Sequence, residues 1–339
     1  MKKNRILAVY TFIMLAGFAK LHAQDPHFSQ YFAAPMTLNP ALTGAGVTDW
    51  RLAGVHRAQW WGSYVPPFTT TGVSIEKNIS AGRDTKSNLG FGLSMVSDAS
   101  NGGLLKNNFF SFAGAYHVAF DGEGKSVFSG GIMATYANRI LDAGKFLFQD
   151  QYGSMGFQRA TPTADPVAVL SRNYWDVNAG LHYSNEFTKW GYDAGVAIFH
   201  ASRPSEGVYN NSSYSLDSRI SVQAGAHFYL DNKDRFHARL LTEIQGQNTL
   251  YTIGGVYGIA FLDETIRSFD LGLWHRFGDA TYPYVGVAGN NWQAGLSYDI
   301  ISSQVRSSYN SVQSMELSFI WQFKGKKAVA QDRRTVAFY

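Results

Sequence analysis

Between Trp50 and Phe323, apolar or aromatic residues take alternate places with polar residues or glycine, in runs that break at Gly, Asp or Asn. The clearest run is 291–300, where Trp292, Ala294, Leu296, Tyr298 and Ile300 alternate with Gln293, Gly295, Ser297 and Asp299. A period of two belongs to a strand whose faces meet different surroundings. The pattern predicts fourteen strands, at 50–60, 68–79, 87–97, 106–120, 126–139, 172–186, 188–200, 216–230, 234–245, 248–260, 266–277, 280–289, 290–300 and 311–323. A soluble sandwich also alternates, but its strands average about five or six residues. These runs are about twice that length, as in the tilted strands of a transmembrane antiparallel β-barrel. An even count returns the chain to its starting side, which predicts that both termini are periplasmic.

The same alternation assigns faces. In 216–230, Ile220, Val222, Ala224, Ala226, Phe228 and Leu230 are predicted to meet lipid, while Arg219, Ser221, Gln223, Gly225, His227 and Tyr229 turn inward. In 234–245, Phe236, Ala238, Leu240, Thr242 and Ile244 point out, against Arg235, His237, Arg239, Glu243 and Gln245. In the last strand Met315, Leu317, Phe319, Trp321 and Phe323 oppose Ser314, Glu316, Ser318 and Gln322. An Arg facing lipid at the bilayer midplane costs about 2–4 kcal/mol, so the inward placement of the charges supports the assignment. Trp60, Trp61, Trp190, Tyr192, Trp274 and Trp292 lie near strand ends and are expected in interfacial girdles. The longest connections, 140–171 and 201–215, fall on the side where outer loops belong.

Lys2, Lys3 and Arg5 precede an apolar run over residues 6–19, the pattern of a secretory signal peptide ending near Ala23. Residues 24–48 form an aperiodic segment, 49–323 the barrel and 324–339 a periplasmic tail. The leader changes the charge picture, since four of the 29 Lys and Arg lie in it and no acid does; 25 basic residues then face 25 acidic ones. That balance leaves no basic footprint for nucleic acid. With no Cys, disulfides, thiolate metal sites and a lipoprotein anchor are all excluded.

The run 24–32, Gln24-Asp25-Pro26-His27-Phe28-Ser29-Gln30-Tyr31-Phe32, is followed by Pro35 and by Leu38-Asn39-Pro40-Ala41-Leu42-Thr43-Gly44. This resembles the amino-terminal signature of the PorP/SprF outer-membrane proteins of Bacteroidota. Arg51 and the run His56-Arg57-Ala58-Gln59-Trp60 are similar to the family's first strand, and Gln293-Ala294-Gly295-Leu296-Ser297-Tyr298-Asp299-Ile300 to its penultimate one. The stretch 311–323 departs from the usual Gly-rich final strand. The resemblance implies a multi-pass protein of the outer membrane serving type IX secretion or gliding. Its implied partners are a secreted protein with a type IX C-terminal domain, such as an adhesin, and periplasmic or outer-membrane components of that machinery.

The aperiodic segment itself is rich in apolar groups, and its backbone has no place in lipid. It is expected to fold back and plug the periplasmic half of the lumen, through Asp25, Pro26, Phe28, Tyr31, Phe32, Asn39, Pro40 and Gly44. A loose periplasmic collar is the alternative. No Walker loop, Gly-x-Ser-x-Gly elbow or His-Glu-x-x-His motif occurs, and neither catalysis nor a cofactor is expected. His117, His227 and His237 read as isolated lumen liners; Asp142, Asp150 and Asp165 are too scattered to predict a calcium site. Aromatic and proline residues at the outer end of the first hairpin, Tyr64, Pro66, Pro67 and Phe68, with Tyr209 and Tyr214 in a later loop, are the expected contacts of an extracellular partner. A general porin is the competing function, and it requires an open lumen.

Overall fold

The computed structural model describes residues 25–47, 49–61, 66–80, 87–121, 124–158, 160–165, 169–207, 214–231, 233–261, 265–303 and 312–323. The predicted leader and tail lie outside them. Fourteen antiparallel strands form one closed barrel: β1 (Trp50–Trp61), β2 (Phe68–Ser80), β3 (Asn88–Ser100), β4 (Leu105–Ala119), β5 (Ser126–Asp142), β8 (Val169–Glu186), β9 (Trp190–Phe199), β10 (Arg219–Tyr229), β11 (Arg235–Gln245), β12 (Asn248–Ala260), β13 (Ser268–Arg276), β14 (Ala280–Ala288), β15 (Trp292–Ile301) and β16 (Gln313–Phe323). The two-residue strands β6 (Tyr152–Gly153) and β7 (Gly156–Phe157) make a hairpin within the long loop after β5. Each barrel strand pairs with its chain neighbours, and β1 pairs with β16 from Trp50↔Phe323 to Trp61↔Gln313, which leaves no free edge. All fourteen predicted strands are present, with boundaries displaced by a few residues.

The register defines two ends. Trp50 and Phe323 mark the terminal end, and the long connections 143–168 and 200–218 mark the loop end. The loop end also carries the shortest turn, 246–247, and a three-residue turn at 277–279, so loop length separates the two ends less cleanly than the sequence pattern suggests.

Alternation sets the faces as expected. Along β10, Ile220, Val222 and Phe228 are exposed on the outside while Arg219, Ser221, Gln223 and His227 are buried. Along β16, Met315, Leu317, Phe319 and Phe323 are exposed, and Ser314, Glu316 and Ser318 are buried. Several apolar wall residues break the rule that inward means polar. Leu241 and Ile320 face the interior, because a second apolar surface lies there.

That surface is the segment 25–47. Pro35 opens a single helical turn (Pro35–Leu38), with its fixed φ already suited to a first helical position. Asn39 then accepts a hydrogen bond from the Ala41 N–H and caps the next short turn, Pro40–Leu42. The turns pack Tyr31, Phe32, Leu38 and Leu42 against Ala53, Leu241, Val256, Trp274, Tyr282, Tyr284 and Ile320 of the barrel wall. Burial of each large apolar side chain contributes about 1.5–3 kcal/mol. The expected girdle residue Trp274 belongs to this interior. It is 1% exposed, its ring lies 5.5 Å from Tyr31 and 5.9 Å from Phe32, and its inward parity on β13 outweighs its place near a strand end.

The segment also extends further than the predicted half-plug. Asp25 contacts His200, Arg219 and Gln245 at the loop end, whereas Thr43 and Gly44 reach His117 and Glu76 towards the terminal end. The strand ends Trp50 and Phe323 share a side of the barrel, and Asp25 lies at the opposite one.

Candidate functional site: a lumen held by distant motifs

The floor of the lumen is cut for this segment. A Cβ on Gly131 would fall on the Pro40 carbonyl and the Ala41 amide, and one on Gly90 would fall on the Thr43 carbonyl. Glycine lets two backbones approach where any side chain would separate them. The Asn39 amide crosses to the wall as well, donating to the Leu181 carbonyl at 3.0 Å.

Polar groups fix the segment at three heights. Near the terminal end Arg51 donates to both oxygens of Glu76, at 3.0 and 2.5 Å, and Glu76 also accepts the Gly44 N–H at 2.9 Å. Arg51 and Glu76 are 1% and 0% exposed, so the pair is satisfied entirely within protein. Midway, Glu316 accepts the backbone N–H groups of Ser29 and Gln30 at 2.7 and 2.6 Å. The Gln30 side chain donates to Ser297 at 3.1 Å and to the Glu316 carbonyl at 2.8 Å, and accepts from Ser318 at 2.6 Å. Beside it, Asp299 accepts from Arg57 at 2.8 Å, Arg276 at 2.7 Å and the Ser29 hydroxyl at 3.0 Å. Arg57 also donates to the His27 carbonyl at 2.8 Å. Two buried cations meet two buried carboxylates here, and shared hydrogen bonds lower the cost of taking all four charges out of water.

The third height is the loop end. Asp25 pairs with His200 at 2.6 Å and, as an ion pair, with Arg219 at 3.1 Å; it accepts the Gln245 amide at 3.2 Å, and its own N–H donates to Gln245 at 3.0 Å. His200 lies just beyond β9, between Asp25 and Asp176. Burial opposes its protonation, but the two carboxylates outweigh that and push it up to about 9. At this mouth Glu206, in the described first part of the β9–β10 connection, pairs with the inward-facing Arg139 of β5.

The eight segment residues predicted from sequence lie along the lumen, from Asp25 at the loop end to Gly44 towards the terminal end. Phe28, Tyr31, Phe32, Asn39, Pro40 and Gly44 are buried, while Asp25 and Pro26 are half-buried at the loop end. Arg57, Ser297 and Asp299, noted only as members of motifs, are the partners of His27, Gln30 and Ser29 in the same segment. Sequence reading missed the roles of Glu76 and Arg276, which have no neighbouring signal along the chain. Of the predicted partner contacts, Tyr64 and Tyr209 lie outside the described residues. Pro66 and Pro67 are exposed, and Tyr214 is 39% exposed. Phe68 packs edge-on to Trp60 at 4.7 Å, so part of its ring is occupied. Its hairpin and the connection bearing Tyr214 are separated around the ring by β3, β4, β5 and β8; the structure does not bring these residues together.

The remaining candidates have local duties. His117 bridges Ser129 and the Thr43 carbonyl, tying the wall to the segment, and His227 meets Glu186 at 2.9 Å. Asp150 accepts from Thr163 and from the Ala164 N–H, contacts that hold its carboxyl below the usual range and fold the long loop. Asp142 caps Gly144. Among the described residues, no three His, Asp or Glu side chains converge as a metal would require.

Solved structures of similar fold include the toluene transporter TbuX of Ralstonia pickettii, 12% identical over 86% of this chain and 94% of that one with a TM-score of 0.49. A FadL homologue of Pseudomonas aeruginosa is 11% identical over 84% and 93%, with a TM-score of 0.44. The toluene transporter TodX of P. putida is 8% identical over 85% and 93%, with a TM-score of 0.45. No curated protein sequence matches the chain. The family model described as type IX secretion system membrane protein PorP/SprF matches residues 20–321, a span that contains all three motifs meeting in the lumen. A closed barrel with an apolar exterior is a protein of the outer membrane, and this chain belongs to the PorP/SprF family of type IX secretion system membrane proteins.

Proposed function

We propose that the protein is a noncatalytic, closed barrel that supports type IX secretion or retains a secreted surface protein, such as a gliding adhesin, at the outer membrane. The observation that carries this reading is the lumen segment 25–47. It runs between the two ends and is bound by buried ion pairs and apolar packing, an arrangement opposed to the open, water-filled lumen that a general porin needs. With its interior occupied, the barrel works through its ends. The loop end, with Pro66, Pro67 and Tyr214 exposed, is assigned to the secreted client, and the terminal end to periplasmic components of the machinery. Affinity purification from detergent extract tests the reading. Stoichiometric recovery of a secreted protein bearing a type IX C-terminal domain, or of a periplasmic secretion component, is the expected result. A barrel recovered alone that also passes small solutes freely would instead be a porin.

A further inference from the structure

The cradle around Asp25 differs from the other two attachment points. Where the segment meets Arg51–Glu76 and Arg57–Asp299–Glu316, wall groups bond to its backbone at nearly closed positions. At the loop end it is held chiefly through the Asp25 carboxylate and its backbone N–H, and residues 25–27 are only half-buried. Each cradle residue has a second partner. Arg219 donates to Glu243 at 2.5 Å and to the Thr37 carbonyl at 3.2 Å; His200 pairs with Asp176 at 2.8 Å; the Gln245 amide donates to the Asp217 carbonyl at 3.3 Å. When Asp25 leaves, the cationic groups therefore keep an acceptor and Asp25 gains water, so departure avoids the large cost of stranding a buried charge. The cradle also reads more than charge. Gln245 donates to the carboxylate and accepts the backbone N–H of the same residue, a two-point grip that fits an aspartyl unit within a peptide.

We propose that Arg219, His200 and Gln245 form a peptide-carboxylate site at the loop end, occupied in this structure by Asp25 as an internal ligand and open to an acidic residue of another polypeptide once Asp25 is displaced. The site deepens the proposed role in holding a client at the loop end, because it supplies a charged anchor point inside the mouth.

The test uses the full-length barrel in detergent, with the heat-induced shift between folded and unfolded bands as readout. Asp25→Ala vacates the cradle and lowers the shift midpoint. N-acetyl-aspartate N-methylamide, titrated at constant ionic strength, then raises the midpoint saturably, as a ligand of the folded state must. The asparagine counterpart leaves it unchanged. The aspartyl compound has no effect in the double variant Asp25→Ala/Arg219→Gln. Equal effects of the two compounds, or none from either, overturn the site. If Asp25→Ala does not fold unaided, refolding yield with each compound gives the same comparison. This readout does not depend on lumen closure, so a native barrel that conducts freely would refute the proposed function and leave this result standing.

Discussion

Asp299 shows how much a single residue carries here. It accepts hydrogen bonds from Arg57, Arg276 and Ser29 while 2% exposed, so Asp299→Asn removes the negative charge that two buried guanidinium groups share and leaves Arg276 to Asp279 and Arg57 to Glu316 and the His27 carbonyl. Breaking a buried pair from one side costs about 3–5 kcal/mol. The midpoint of the heat-induced band shift should fall accordingly, and a midpoint within error of the native protein would contradict the arrangement. His200 makes a pH prediction whose sign follows from its partners. Its folded value is raised to about 9, so its contribution is complete below the ordinary value of 6.5 and is lost as pH rises through about 9. For Asp25, burial alone would raise the carboxyl, but His200 and Arg219 hold it far below its ordinary 3.8; its contribution fails only in strong acid. Between pH 6.5 and 9 the native barrel should therefore lose stability that His200→Gln lacks throughout, seen as converging midpoints. Parallel profiles would refute this. The sequence made Asp25, Ser29, Arg57 and Asp299 visible as parts of motifs, but not as neighbours. Gln30 and Glu316 are 286 positions apart, and only closure of the barrel brings them together.

At the level of elements, the strands were legible because burial follows a period of two and nothing local competes with it. Leu240 faces lipid on β11 and is 44% exposed, so Leu240→Arg should destabilise the barrel by about 2–4 kcal/mol, measured by denaturant unfolding in bilayers. Its inward neighbour Arg239, in contact with Asp193 at 3.2 Å, sets the contrast. The position of the segment was less legible. Its composition indicated packing inside the lumen, but its reach depends on wall glycines that look like ordinary members of strands. Gly131 is the clearest case. Gly131→Val should push the Pro40–Leu42 turn off the wall and expose residues 25–47 to protease in the folded barrel, whereas the exposed-turn substitution Gly278→Asn, at φ 74°, should leave the segment protected. Equal protection in both would argue against the close approach. Trp274 failed as a girdle residue for a related reason, since its distance from the strand end gives no sign that an aromatic pair waits inside.

For the molecule as a whole, the account rests on the lumen being filled from one mouth to the other by the chain's own amino-terminal segment. Family membership supplies the setting, a membrane component of type IX secretion, while the segment packed in the interior is the observation behind the proposal of a closed lumen. Single-channel recording in planar bilayers compares the purified native barrel with one lacking residues 25–44. The account predicts a silent native protein and large, steady openings after deletion. Conductance that is the same before and after the deletion would contradict it.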